Sequence, residues 1–161
     1  FIKFVKSATK HDKVTLVGHS QGRLIGFYYL KKLQGADHVD RFVALAPSVN
    51  GTSIAKTPNR DLVEYCLACA DQHPRSALLR DLKDGPITMP GVQYSVLVTK
   101  NDKVVVPVEN QFVKEPGVQN IYIQDLLPGK SVSHSGMLYD TETLDLIVKL
   151  VQGKPVQTAS N

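Results

Sequence analysis

The stretch Val14-Thr15-Leu16-Val17-Gly18-His19-Ser20-Gln21-Gly22 decides the architecture. Val14 to Val17 is a short apolar, β-branched run, the pattern of a strand buried on both faces of a parallel sheet. It leads straight into Gly-x-Ser-x-Gly and then into a helix whose broad apolar face is Leu24, Ile25, Phe27, Tyr28 and Leu30. Lys31 and Lys32 occupy the last turn of that helix and Gly35 lies past its end. A serine projecting from a sharp strand-to-helix turn sits in a strained backbone conformation that side chains two positions either side would crowd. Gly18 and Gly22 are expected to relieve that crowding. The turn also points helix N-terminal amides at a reacting carbon, which makes the Gln21 N–H an oxyanion donor. Ser20 is therefore the candidate nucleophile.

Working outward, the chain alternates strands and helices. Phe1, Phe4, Val5 and Ala8 recur at helical spacing, so a helix is already under way at the first residue. Arg41-Phe42-Val43-Ala44-Leu45-Ala46 reads as a second strand stopped by Pro47, and 48–58 as a polar loop. Helices are expected near 60–71 and 76–83, separated by Pro74, the second ended by Asp84-Gly85-Pro86. Tyr94–Val98 and Asn120–Ile123 read as further strands. A closing helix from about Thr141 carries Leu144, Ile147, Val148 and Val151, and Gly153 and Pro155 terminate it. This order implies an α/β fold, a mostly parallel sheet with helices on both faces, in which functional groups gather beyond the carboxyl ends of the strands. One domain over residues 1–155 is expected, with 156–161 a loose tail.

Composition narrows the class. The chain has 161 residues, 42% of them hydrophobic, enough for a buried core. No apolar run approaches the roughly 20 residues that span a bilayer. The net charge of +4 is scattered, which favours a solvated surface over nucleic-acid binding and leaves room for weak attraction to an anionic interface. There is no initial Met and no signal peptide, so the sequence reads as a fragment or a processed chain and fixes no compartment by itself. Cys66 and Cys69 form a lone C-x-x-C with neither zinc-ligand spacing nor the strand-to-helix setting of a redox site. Two buried thiols or a short-loop disulfide remain.

A serine nucleophile needs a base and an acid, which this type of fold supplies in the order Ser, Asp or Glu, His. His11 lies in a polar loop, His19 within the motif with its side chain diverging from Ser20, His38 before a strand at the opposite edge, and His73 in a helix-to-helix turn. Only His134, in Ser131-Val132-Ser133-His134-Ser135-Gly136, follows the last strand, so it is the candidate base. Asp102, just past the third strand, is the candidate acid, with Asp125 after the fourth strand as runner-up. Asp84 and Asp140 fit a helix-end turn and a helix start. No metal or organic cofactor is required.

The chain resembles the secreted class 2 triacylglycerol lipases of the α/β-hydrolase superfamily. The resemblance runs through Leu16–Gly22, Leu45-Ala46-Pro47-Ser48 with Gly51-Thr52, and Cys66-Leu67-Ala68-Cys69-Ala70-Asp71-Gln72. It continues through Asp102–Pro107, Gln124-Asp125 and His134. It implies the C-terminal part of an α/β-hydrolase fold, a secreted esterase or lipase, a Ser20–Asp102–His134 triad, a Cys66–Cys69 disulfide, and a lipid or ester substrate met at a transient lipid interface.

Three departures stand out. Leu126-Leu127 replaces an expected further cysteine, and Asn50-Gly51-Thr52 is an N-glycosylation sequon whose simpler reading is an Asn-Gly turn. The family's early strands and His-Gly oxyanion loop belong before residue 1. Without them Val14–Val17 is an open edge, one oxyanion donor is missing, and poor activity or solubility of this chain alone is expected.

Val104, Val105, Val106, Phe112 and the stretch Leu62–Leu79 are candidates to line an acyl site or lid, or simply core. Other chemistries of the same fold (thioesterase, peptidase, acyltransferase) and a catalytically inactive interaction protein are the rival readings.

Overall fold

A computed structural model describes residues 1–52 and 67–156. Among the described residues four strands, β1 (Val14–His19), β2 (Val39–Leu45), β3 (Gln93–Val98) and β4 (Val118–Tyr122), form one sheet in the order β1-β2-β3-β4. Every pairing is parallel, with Leu16 opposite Phe42, Phe42 opposite Tyr94 and Leu97 opposite Ile121. All four carboxyl ends therefore point the same way. The helices are α1 (Ile2–Thr9), α2 (Gln21–Lys32), α3 (Leu67–Ala70), α4 (Ala77–Leu82), α5 (Ile123–Leu126) and α6 (Thr141–Val151). Among the described residues, no helix is long and apolar enough to cross a membrane.

Alternation along the strands sorts the core into two layers. On one face Phe42, Ala44, Tyr94, Val96 and Val98 pack against Leu24, Phe27 and Leu30 of α2 and Leu79 and Leu82 of α4. On the other, Val43, Leu45, Leu97 and Ile121 pack against Leu146, Ile147 and Leu150 of α6. Helix α2 lies close to the sheet because Gly26 has no side chain. A Cβ there would come within 2.3 Å of the Phe42 ring, which is itself edge-on to Phe27 at 5.0 Å. Side chains start two helices where the sequence has capping residues: Ser76 Oγ accepts from the Leu79 amide, and Asp140 accepts from the Thr143 amide at 2.9 Å.

Several expectations are corrected. β1 is not buried on both faces. It is instead the open edge expected of Val14–Val17: among the described residues no strand pairs with its outer side, and Val17 is 50% exposed. The helix expected from Phe4, Val5 and Ala8 is α1, with Phe1 capping it and both Phe1 and Phe4 exposed.

The segment after β2 is a loop, but Ser48, Val49 and Thr52 are buried rather than solvated. Its polar groups are satisfied internally: Ser48 Oγ donates to Gln72 Oε1 at 3.0 Å and Thr52 Oγ1 to the Val104 carbonyl at 2.7 Å. Asn50 Nδ2 donates to the carbonyls of Asn110 and Phe112 at 2.8 and 3.2 Å, and Gly51 turns at φ 77°. The sequon nitrogen is thus engaged in the fold, in keeping with the Asn-Gly turn.

The remainder of that loop, most of the helix expected near 60–71, and Cys66 lie outside the described residues. So do residues 157–161, whereas Val156 packs against the α6 side of the core.

Candidate active site

The sheet ends bring three of the singled-out residues to one side of the molecule. Ser20 directly follows β1 and caps α2 with φ 53° and ψ −123°, a left-side conformation that a non-glycine residue adopts only at a cost. Its amide donates to the Leu45 carbonyl at 2.9 Å, which ties the turn to the end of β2. Gly18 is required here: a Cβ on it would meet the Arg23 Cα at 2.8 Å. At Gly22 a Cβ would meet nothing within 4 Å among the described residues apart from its own helix. The Gln21 amide opens α2, where first-turn N–H groups have no intrahelical acceptor. The Gln21 side chain reaches out to the Ala68 carbonyl of α3 at 2.6 Å.

Asp102 and His134 form a buried pair, His134 Nδ1 to Asp102 Oδ2 at 2.7 Å. The carboxylate is fully committed. Its Oδ1 accepts from the amides of Val104 and Val105 at 2.8 and 3.0 Å, and its Oδ2 also accepts from Gln111 Nε2 at 3.0 Å. Burial pushes the Asp102 carboxyl up, but the bonds from His134, Val105 and Val104 outweigh it and hold it below its ordinary value. An ionised Asp102 beside Nδ1 keeps the His134 proton on Nδ1 and leaves Nε2 as the basic atom.

Asp125 is elsewhere, exposed and paired with Lys100 at 2.5 Å. His11 bonds to the Thr9 carbonyl, His38 accepts from Lys6, and His73 accepts from the Arg75 amide. His19 differs from these. Its ring leaves Ser20 for the histidine loop, with Nε2 3.0 Å from the His134 carbonyl and the two imidazoles 4.7 Å apart. This places His134 beside the Ser20 turn. Burial lowers the His19 pKa, so the ring is neutral at physiological pH.

Gln111 and Arg23 carry no signal in the sequence. Gln111 sits in a short 3-10 turn, Val108–Gln111, fully buried, and donates to the Val105 carbonyl as well as to Asp102. Arg23 is 0% exposed, and its guanidinium nitrogens find no hydrogen-bond partner among the described residues. Its guanidinium lies over the Phe27 ring, 5.5 Å to the centroid, and burial drives its pKa well below the ordinary value.

Of the proposed acyl-site residues, Val105 is core and Phe112 packs on Tyr122 at 4.7 Å. Val104 is exposed and lines a cleft of about 390 Å³ with His134, Lys103 and Ser133. Cys69 is disulfide-bonded, while Cys66, its expected partner, lies outside the described residues. No group of three or more His, Cys, Asp or Glu side chains arranged to hold a metal occurs among the described residues.

The chain belongs to the alpha/beta hydrolase fold family, whose model matches residues 1–107. Among solved structures it is similar to lipase B of Aspergillus fumigatus (TM-score 0.76, 22% identity), over 98% of this chain and 41% of that one. It is also similar to a Bacillus licheniformis lipase in mature form (TM-score 0.66, 13% identity, 93% of this chain and 69% of that one). A Pyrococcus furiosus esterase aligns at TM-score 0.56 and 13% identity, over 95% of this chain and 59% of that one. At these identities the likeness speaks for the fold. The chain spans less than half the length of the Aspergillus lipase. No curated protein matches the sequence at a significant level.

Proposed function

We propose that this chain carries the nucleophile, acid and base of a serine carboxylic-ester hydrolase that acts on lipid esters such as acylglycerols. One observation carries the reading: the buried Asp102–His134 pair is held against the Ser20 turn through the His19 contact. Ser20 Oγ attacks the ester carbonyl while His134 Nε2 takes its proton. The proton then passes to the leaving alcohol, and an acyl-Ser20 ester remains. Asp102 stabilises the imidazolium as it forms, and the Gln21 N–H stabilises the oxyanion. Water, activated by the same histidine, releases the acid and restores Ser20.

Lipid esters are favoured by the solved lipases and the esterase that share this fold, and by the sequence resemblance to class 2 triacylglycerol lipases. The disulfide at Cys69 supports an oxidising, secretory destination, since such bonds are rare in reducing compartments.

Labelling of the full-length protein with a fluorophosphonate and its hydrolysis of p-nitrophenyl esters of graded chain length test the proposal. Ser20 is expected to be labelled, and Ser20→Ala to abolish both labelling and turnover. Labelling elsewhere, or turnover that survives Ser20→Ala, overturns it.

A further inference from the structure

The base of this site sits on a segment with no regular structure. Residues 130–133 belong to neither helix nor strand, yet a general base has to be held within a fraction of an ångström to act. Side chains do the holding. Gln124 Nε2 donates to the Lys130 carbonyl at 3.1 Å, Thr99 Oγ1 to the Val132 carbonyl at 2.7 Å, and His19 Nε2 is 3.0 Å from the His134 carbonyl. The three acceptors alternate along the chain, 130, 132 and 134, as the carbonyls on one side of an extended segment do. The three donors come from the carboxyl ends of three different strands: Gln124 just after β4, Thr99 just after β3, and His19 closing β1. Thr99 and Gln124 are joined to each other as well, Gln124 Nε2 donating to Thr99 Oγ1 at 3.0 Å. The segment is laced to the sheet as an extra strand would be, through side chains in place of a backbone ladder.

We infer that His19 is a positioning residue, the tie that fixes the His134 backbone against the nucleophile turn. The other two ties act upstream of His134. Of the three, His19 alone bonds to His134 itself and is covalently adjacent to Ser20. A carbonyl accepts and cannot donate, so Nε2 of His19 carries the proton. The neutral ring also packs against the His134 imidazole at 4.7 Å and 52°, which limits its swing. His134 is thereby held at both ends, its ring by Asp102 and its backbone by His19. Any motion of the Ser20 turn is transmitted to the base through one side chain.

The inference rests on the ester-hydrolase reading, and the test separates the two. His19→Phe keeps a ring of similar size and removes the donor. His19→Gln replaces the ring with an amide that offers a donor at similar reach.

Expected for His19→Phe is a loss in kcat of about tenfold to hundredfold with KM within about twofold, the signature of a misplaced catalytic group. His19→Gln is expected to recover most of that loss. The proton on His134 Nδ1, followed by NMR without any substrate, should exchange faster with solvent in His19→Phe than in the wild type, and slow again in His19→Gln. Wild-type kcat and wild-type proton exchange in His19→Phe overturn the inference. If His19→Phe does not fold, a His19→Gln enzyme as impaired as an Ala variant overturns it. Ser20→Ala is the control: turnover that survives in it defeats the hydrolase reading, whereas the proton-exchange comparison still judges the tie.

Discussion

Replacing Asp102 with Asn changes one atom for another of nearly the same size, and the contacts around it settle how the new amide must lie. The carboxylate receives two backbone amides on Oδ1, from Val104 and Val105, and two side-chain donors on Oδ2, from His134 and Gln111. Keeping the Asn oxygen toward the two amides leaves its NH2 facing Gln111 and His134. His134 then moves its proton to Nε2 and accepts at Nδ1, while Gln111 loses a partner. The opposite orientation preserves the His134 tautomer but strands both backbone amides. Each buried donor left unmade costs about 1–3 kcal/mol, so the first orientation wins by roughly the cost of one donor.

That orientation is the inactive one, because Nε2 now carries the proton it should be taking from Ser20. The expected loss in kcat is about 10⁴-fold, as for a triad histidine held in the wrong tautomer. A loss of stability of roughly 1–3 kcal/mol accompanies it from the Gln111 donor. Steady-state hydrolysis of p-nitrophenyl esters gives the first quantity and denaturant unfolding the second. An Asp102→Asn enzyme within tenfold of wild-type kcat would refute the tautomer argument.

Two further outcomes are expected. Arg23→Met removes a buried guanidinium that has no hydrogen-bond partner among the described residues and should stabilise this 161-residue chain by about 1–4 kcal/mol, less whatever is lost from the Phe27 contact. Thermal unfolding should show Tm rising by about 2–4 °C per kcal/mol, and a fall in Tm would show that the guanidinium is paired. Because the Asp102 pKa is lowered on folding from its ordinary 3.8, its contribution to stability is present above that value and lost as pH falls through the lower folded one. The stability gap between wild type and Asp102→Asn should accordingly narrow as pH is taken down from 5 toward 2, and a gap that widens contradicts the sign.

The sequence by itself determined the local and periodic features. A β-branched run, a Gly-x-Ser-x-Gly and an amphipathic stretch can form only a strand, a sharp turn and a helix in that order, and β1, the Ser20 turn and α2 lie where they say. The order of later strand ends likewise singled out Asp102 and His134, because in a parallel sheet every carboxyl end lies on one side. The need for Gly18 was legible, while among the described residues nothing crowds Gly22, because crowding depends on what packs against a turn and not on the symmetry of a motif. What only the tertiary structure decided is how these residues hold one another. In the sequence His19 is a residue of the motif whose side chain diverges from Ser20, Asn50 is a sequon or an Asn-Gly turn, and Gln111 and Arg23 carry no signal. The roles of His19 and Asn50 are set by acceptors from distant parts of the chain, His19 and His134 being 115 residues apart, and no local pattern encodes a hydrogen bond of that span.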